Sequence, residues 1–263
     1  MFLSRAEERV FCGISALLFA GSTAVTVAWS TSMSAMGGMQ MPGGWTMSMV
    51  WMRMPAQTWP GVAAVFVGMW IVMMMAMMLP ALFLMLRQYR GVVAALNERH
   101  LGGLTFIVGA AYFVVWTAFG IGAFALGIVS STMEMQHPSL ARGAPIAVGV
   151  VVLIAGFLQF TPWKTRHLAC CKEVPDPDRM LPASAGSAWR HGLRLGFHCS
   201  LCCAGLMSIL LVLGVMNLGA MAAVAAVVTI ERLAPAGERI EHGIGAIVVG
   251  AGVFLIAQAA GLG

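Results

Sequence analysis

Residues 197 to 207 read FHCSLCCAGLM, a histidine and three cysteines at the head of a long apolar run. On a helix Cys199, Cys202 and Cys203 share one face, with His198 one turn from Cys202. Upstream, RHLACCK supplies His167, Cys170 and Cys171. Thiolates and imidazoles together select soft or borderline ions, so the residue types suit Cu(I) first, with Zn(II) and Hg(II) as alternatives. A single cysteine packs as a small hydrophobe. Two Cys-Cys pairs, each with a histidine about one helical turn away, are a pattern that packing does not call for. Vicinal pairs and a CxxCC are poor disulfide geometry, so free thiols are expected, with Lys164, Arg166, Lys172 and Arg194 supplying positive charge beside them.

Methionine is the second anomaly, at 22 residues of 263, and it is clustered. MSAMGGMQMPGGWTMSMVWMRM places Met33, Met36, Met39 and Met41, then Met47, Met49, Met52 and Met54, in MxxM and MxM spacing. Thioethers are soft, uncharged ligands that do not titrate, which suits capture of Cu(I). A membrane-surface role competes for this segment, because Trp45, Trp51 and Trp59 suit an interface. GMWIVMMMAMMLP then sets Met69, Met73 and Met77 in one helical stripe, with Met74 and Met78 beside it. Such a stripe is ordinary core material by itself, but this one connects the Met-rich loop to the cysteines.

The elements that must position these residues are membrane spans. The chain is 60% hydrophobic and 10% charged, against about 25% charged in an ordinary soluble domain. Its mean hydropathy is +0.88. Apolar runs at 10–29, 62–86, 104–129, 144–160 and 242–262 are each long enough to cross a bilayer as helix. Residues 192–233 would be about 63 Å long as one helix, roughly twice the hydrocarbon thickness, and should fold back near Gly214, Asn217 and Gly219. The expected architecture is therefore an all-α polytopic transmembrane bundle of seven spans, or six if the folded-back stretch is one span and a half-inserted segment. It forms a single domain over 1–263, with a Met-rich outer loop at 30–60 and a Cys-containing inner loop at 161–194.

Arg87, Arg90 and Arg99, and the basic residues of 161–194, place the loop between the second and third spans, the 161–194 loop and the N-terminus on the cytoplasmic side, with 30–60 outside. The first run is too long for a cleaved signal. The net charge of +5 lies in these loops and forms no nucleic-acid face. No Ser/His/Asp arrangement, phosphate loop, HExxH motif or intramembrane carboxylate pair occurs, so an enzyme is not expected.

Three segments together resemble a known family: the Met-rich stretch into GMWIVMMMAMMLP, then FTPWKTRHLACCK, then GFHCSLCCAGLMSILLVLGVMNLGAMAAVAAVVTIERL. They resemble the bacterial predicted metal-binding integral membrane proteins, a domain of unknown function. The resemblance implies metal binding by these cysteines and methionines in a prokaryotic inner membrane, and Cys171 and His198 are departures from its pattern. The order of ligands, outer methionines, then a methionine stripe, then cysteines, is also similar to that of trimeric copper uptake channels.

The expected function is Cu(I) binding and transfer or uptake. Met33, Met36, Met39 and Met41 would capture the ion, Met69, Met73 and Met77 relay it, and Cys170, Cys171, Cys199, Cys202 and Cys203 hold it with His167 and His198. Expected partners are the lipid bilayer, the ion, a periplasmic or cytoplasmic metallochaperone and a second copy of the chain, with no nucleic acid. Two other readings stay open: a membrane thiol-disulfide redox protein using the CxxCC and CC cysteines, and an accessory structural subunit of a membrane complex.

Overall fold

A computed structural model describes residues 5–35, 37–41, 45–48, 51, 57–95, 100–172, 184–233 and 237–261. Eight helices occur among them: α1 (Arg5–Ala35), α2 (Trp59–Ala95), α3 (Leu101–Gln136), α4 (Pro138–Leu158), α5 (Pro162–Lys172), α6 (Ala185–Leu213), α7 (Leu218–Leu233) and α8 (Gly237–Ala259). The protein is an all-α bundle. Six helices (α1, α2, α3, α4, α6 and α8) are long and apolar enough to cross a membrane. The stretch 192–233 reverses at Gly214, whose φ of +107° is a conformation that L side chains rarely adopt. Asn217 then opens α7 by accepting a hydrogen bond from the Ala220 N–H at 3.0 Å. At 16 residues, α7 is about 24 Å long and falls short of a full hydrocarbon core.

The helices pair as α1 with α2, α2 with α3, α3 with α6, α4 with α6 and α8, α5 with α6, and α2 with α7. Of the six long helices, α2 and α6 are the most enclosed. Large apolar side chains of the others, among them Leu17, Phe106, Leu126, Ile154, Ile247 and Phe254, face outward. In a bilayer that surface meets lipid, so apolar exposure there needs no partner protein.

Polar groups mark the two ends of the bundle. At one end, Arg87 of α2 reaches Glu8 of α1 at 2.7 Å and Arg90 lies over the Phe11 ring. Tyr89 there stacks on His191 at the start of α6. At the other end, Ser30 of α1 donates to the Met216 carbonyl in the α6–α7 turn at 2.6 Å. The expected outer loop closes that end with a short hairpin, β1 (Gly38–Gln40) against β2 (Thr46–Ser48) in antiparallel register, which pairs Met39 with Met47. Trp45 pins the hairpin by donating its indole N–H to the Ala141 carbonyl of α4 at 2.8 Å.

Candidate metal centre

The cysteine face of α6 is aimed by ordinary helix rules. Ser184 and Ser187 form a reciprocal capping box that starts the helix, so its register is set fifteen residues before Cys199. Spacings of three and four then bring Cys199, Cys202 and Cys203 to one face. That face is interior: none of the three is more than 5% exposed. Gly192 and Gly196 let α3 come close, since a Cβ at Gly196 would stand 2.9 Å from the Tyr112 carbonyl oxygen. The Tyr112 hydroxyl consequently lies 2.9 Å from Cys199 Sγ.

The α6–α7 hairpin brings a further group to the thiols. Arg232 lies as far beyond the start of α7 as Cys199 lies before the end of α6, about 21 Å by helix rise in each case. The chain therefore returns Arg232 to the level of Cys199. Its Nη2 is 2.9 Å from Cys199 Sγ and 3.5 Å from Cys202 Sγ, and its Nη1 is 3.4 Å from the Met85 Sδ of α2. Next to it, Glu231 accepts from Lys164 of α5 at 2.5 Å, both side chains being 3% exposed. Lys164, read from sequence as a positive neighbour of the thiols, has Glu231 as its partner. The cation against the sulfur atoms is Arg232.

Across α5 the cysteines divide. Cys171 is buried in one core with Cys199, Cys202 and Cys203, and Cys170 is half-buried outside it. The vicinal thiols of α5 and α6 thus converge through Cys171. They do so inside the bundle. Cys202 Sγ and Cys203 Sγ are 3.7 Å apart, close to the separation of two sulfur ligands on one tetrahedral ion with bonds of about 2.3 Å. All six cysteines are free thiols. His167 and His198 form a pair of their own, Nδ1 to Nδ1 at 2.9 Å, with Trp163 edge-on to His167. Among the described residues, no group of three or more His, Cys, Asp and Glu side chains is already arranged to hold a metal ion.

The methionines divide as well. Met69, Met73 and Met77, with Met74, Met78 and Met85, are buried in one apolar core that also contains Cys171, Cys199, Cys202 and Cys203. Met69 to Met85 covers about 24 Å of α2, so the sulfur column runs from the hairpin end to the thiols. Pro80 within it cannot donate to the Ala76 carbonyl. Above the column, Trp51 packs on Phe66 at 5.3 Å between ring centroids, and Phe66 on Phe124 at 5.0 Å. In the hairpin, Met41 and Met47 are buried on Ala141 in a small separate core. Met33 is half-buried at the end of α1 and Met39 is exposed. Met36, Met49, Met52 and Met54 lie outside the described residues.

Sequence reasoning missed Tyr112, Met85 and the role of Arg232. Arg232 was legible in principle, from equal counts on either side of the Gly214–Asn217 turn. Tyr112 had no comparable signal, because its place depends on how α3 docks on Gly192 and Gly196.

What these features define is a polytopic helical bundle around a sulfur-rich interior, built from soft-ion ligands. Residues 67–255 match a family model, PpoB2, described as a copper chaperone. The match covers more than half of the chain, and the protein belongs to that family. It begins at the Met stripe and takes in every cysteine except Cys12. No curated protein and no solved structure matches the chain.

Proposed function

We propose that this protein is an integral membrane Cu(I) carrier that passes the ion from the Met-rich end of the bundle, along the thioethers of α2, to the buried thiols of α5 and α6. The observation that carries this reading is the single continuous core containing Met69, Met73, Met77, Met85, Cys171, Cys199, Cys202 and Cys203. Membership of a copper chaperone family supports copper as the cargo.

The chemistry sets the direction. Thioethers bind weakly and without charge, so an ion can pass between them in a low-dielectric interior without proton loss at each step. Thiolates bind soft ions more tightly, so the ion gains free energy on reaching Cys199, Cys202 and Cys203. The basic end of the bundle, with Arg87 and Arg90, faces the cytoplasm by the positive-inside rule, which makes the movement inward. Met33 and Met39 would collect the ion at the opposite end, with Met36 a further candidate by sequence, and the half-buried His167, His198 and Cys170 would release it.

The test is copper content of the purified protein after anaerobic Cu(I) loading under reducing conditions. Wild type should retain Cu(I), and a Cys199→Ser/Cys202→Ser/Cys203→Ser variant should lose most of it. Wild type with neither bound metal nor a reversible change in titratable thiols would favour cysteines that only pack. A reversible dithiol oxidation without bound metal would favour the redox reading.

A further inference from the structure

Arg232 is 8% exposed, and among the described residues every hydrogen bond it makes ends on sulfur: Met85, Cys199 and Cys202. Its Nε has no partner there at all. Such an environment is unusual for a guanidinium, which carries five donors and ordinarily forks onto oxygen. Sulfur is a weak acceptor, and the adjacent carboxylate, Glu231, is taken by Lys164. A buried cation therefore stands among three soft ligand atoms from two helices while satisfying few of its own hydrogen bonds.

We infer that Arg232 is the resident cation of the sulfur site, the group that a monovalent soft ion displaces on loading. The inference rests on the carrier reading above. Met85 Sδ, Cys199 Sγ and Cys202 Sγ cannot face the guanidinium at 2.9 to 3.5 Å and a second cation at bonding distance together. Like charges that close in a low-dielectric interior repel strongly. Exchange of Arg232 for Cu(I) at one thiolate replaces one positive charge by one and leaves the local charge unchanged, while each further thiol that ligates as thiolate releases a proton. A divalent ion would bring an uncompensated charge into the same place, which burial penalises. In the metal-free protein the arginine keeps the sulfurs apart and in position, and its departure frees the last turn of α7.

The experiment measures Cu(I) affinity of the full-length protein in detergent against a competing Cu(I) chelator, for wild type, Arg232→Gln and Arg232→Lys. With the competitor removed, Arg232→Gln should bind Cu(I) about tenfold more tightly or better. Arg232→Lys, which keeps the charge without the planar fork, should stay near wild type. Unchanged or weakened binding in Arg232→Gln would overturn the inference, because the arginine would then remain beside the ion as its counter-charge. Hydrogen exchange of the wild-type protein gives an answer independent of any variant's folding. Cu(I) loading should speed amide exchange over 228–233, and unchanged or slower exchange there would equally overturn it. Wild-type protein that takes up no Cu(I) would refute the carrier reading itself, whereas uptake without these changes would refute the displacement alone.

Discussion

The pair between Lys164 and Glu231 should be the most costly contact to break singly and among the cheapest to remove whole. The two groups meet at 2.5 Å, each 3% exposed. Replacing Lys164 with Met leaves a carboxylate buried without a partner, and breaking a buried pair in that way costs about 3–5 kcal/mol. Replacing both with Met removes the unpaired charge together with its partner, and such apolar substitutions are often neutral or stabilising. The protein carries its own control, since Arg87 and Glu8 form a pair of similar length, 2.7 Å, that is 60% and 40% exposed. Arg87→Met should therefore cost less than about 1 kcal/mol. Denaturation of Lys164→Met, Glu231→Met, the double variant and Arg87→Met in one detergent gives the comparison. Because Glu231 precedes Arg232, the single variants should also loosen Arg232 and speed alkylation of the α6 thiols. The reasoning fails if Lys164→Met is no more damaging than Arg87→Met, or if the double variant is worse than both of its parents.

Met73 is 0% exposed on the α2 stripe, and Met73→Leu conserves volume at a cost under about 1.5 kcal/mol. Copper delivery to the thiols in reconstituted vesicles should nevertheless slow severalfold, and delivery at the wild-type rate would show that the stripe only packs. Gly196→Ala puts a methyl 2.9 Å from the Tyr112 backbone oxygen and should destabilise by about 1–3 kcal/mol through overpacking. It should also weaken Cu(I) retention, checked by denaturation and metal analysis on the same preparation. Tyr112→Phe removes the hydroxyl facing Cys199 at a net cost of about 0.5–1.5 kcal/mol. Its mark should be faster alkylation of Cys199, followed by peptide mass.

The sequence disclosed the elements more fully than the site, and the reason lies in which interactions are local. Span lengths and the reversal near Gly214 are decided within a few residues, so periodicity and turn chemistry display them. The cysteine face of α6 is equally local, being a consequence of 3.6 residues per turn. What lies opposite that face depends on docking between distant helices. The approach of α3 over Gly192 and Gly196, and the return of α7 beside α2, follow from close packing that no single segment encodes. Hence the thiol face of α6 was legible while Tyr112 and Met85 were not, and Arg232 was legible only through the residue counts on either side of the turn. The methionines of 30–60 show the converse: spacing alone made Met41 and Met47 equivalent to Met39, yet Trp45 and Ala141 give the first two a buried packing role.

The placement of charge along the bundle follows from the kind of cargo it would carry. An ion moving through a membrane interior by way of carboxylates would need each ligand desolvated and ionised, at a cost of several kcal/mol per group. A column of thioethers from Met69 to Met85 avoids this, and no Asp, Glu, Lys or Arg interrupts that stretch of α2. Three buried charged side chains lie where the column ends, Arg232 against the thiols and Lys164 paired with Glu231 next to it. There, under the carrier reading, they would act on the last step, because charge that would trap an ion midway would instead control whether the thiols are available to it. Among the described residues the Lys164–Glu231 pair joins α7 to α5 and α7 carries Arg232 to the sulfur atoms, so under the displacement inference copper occupancy and the docking of the short helix would change together. A variant that frees α7 without touching any sulfur should for that reason change copper retention as much as one that removes a ligand.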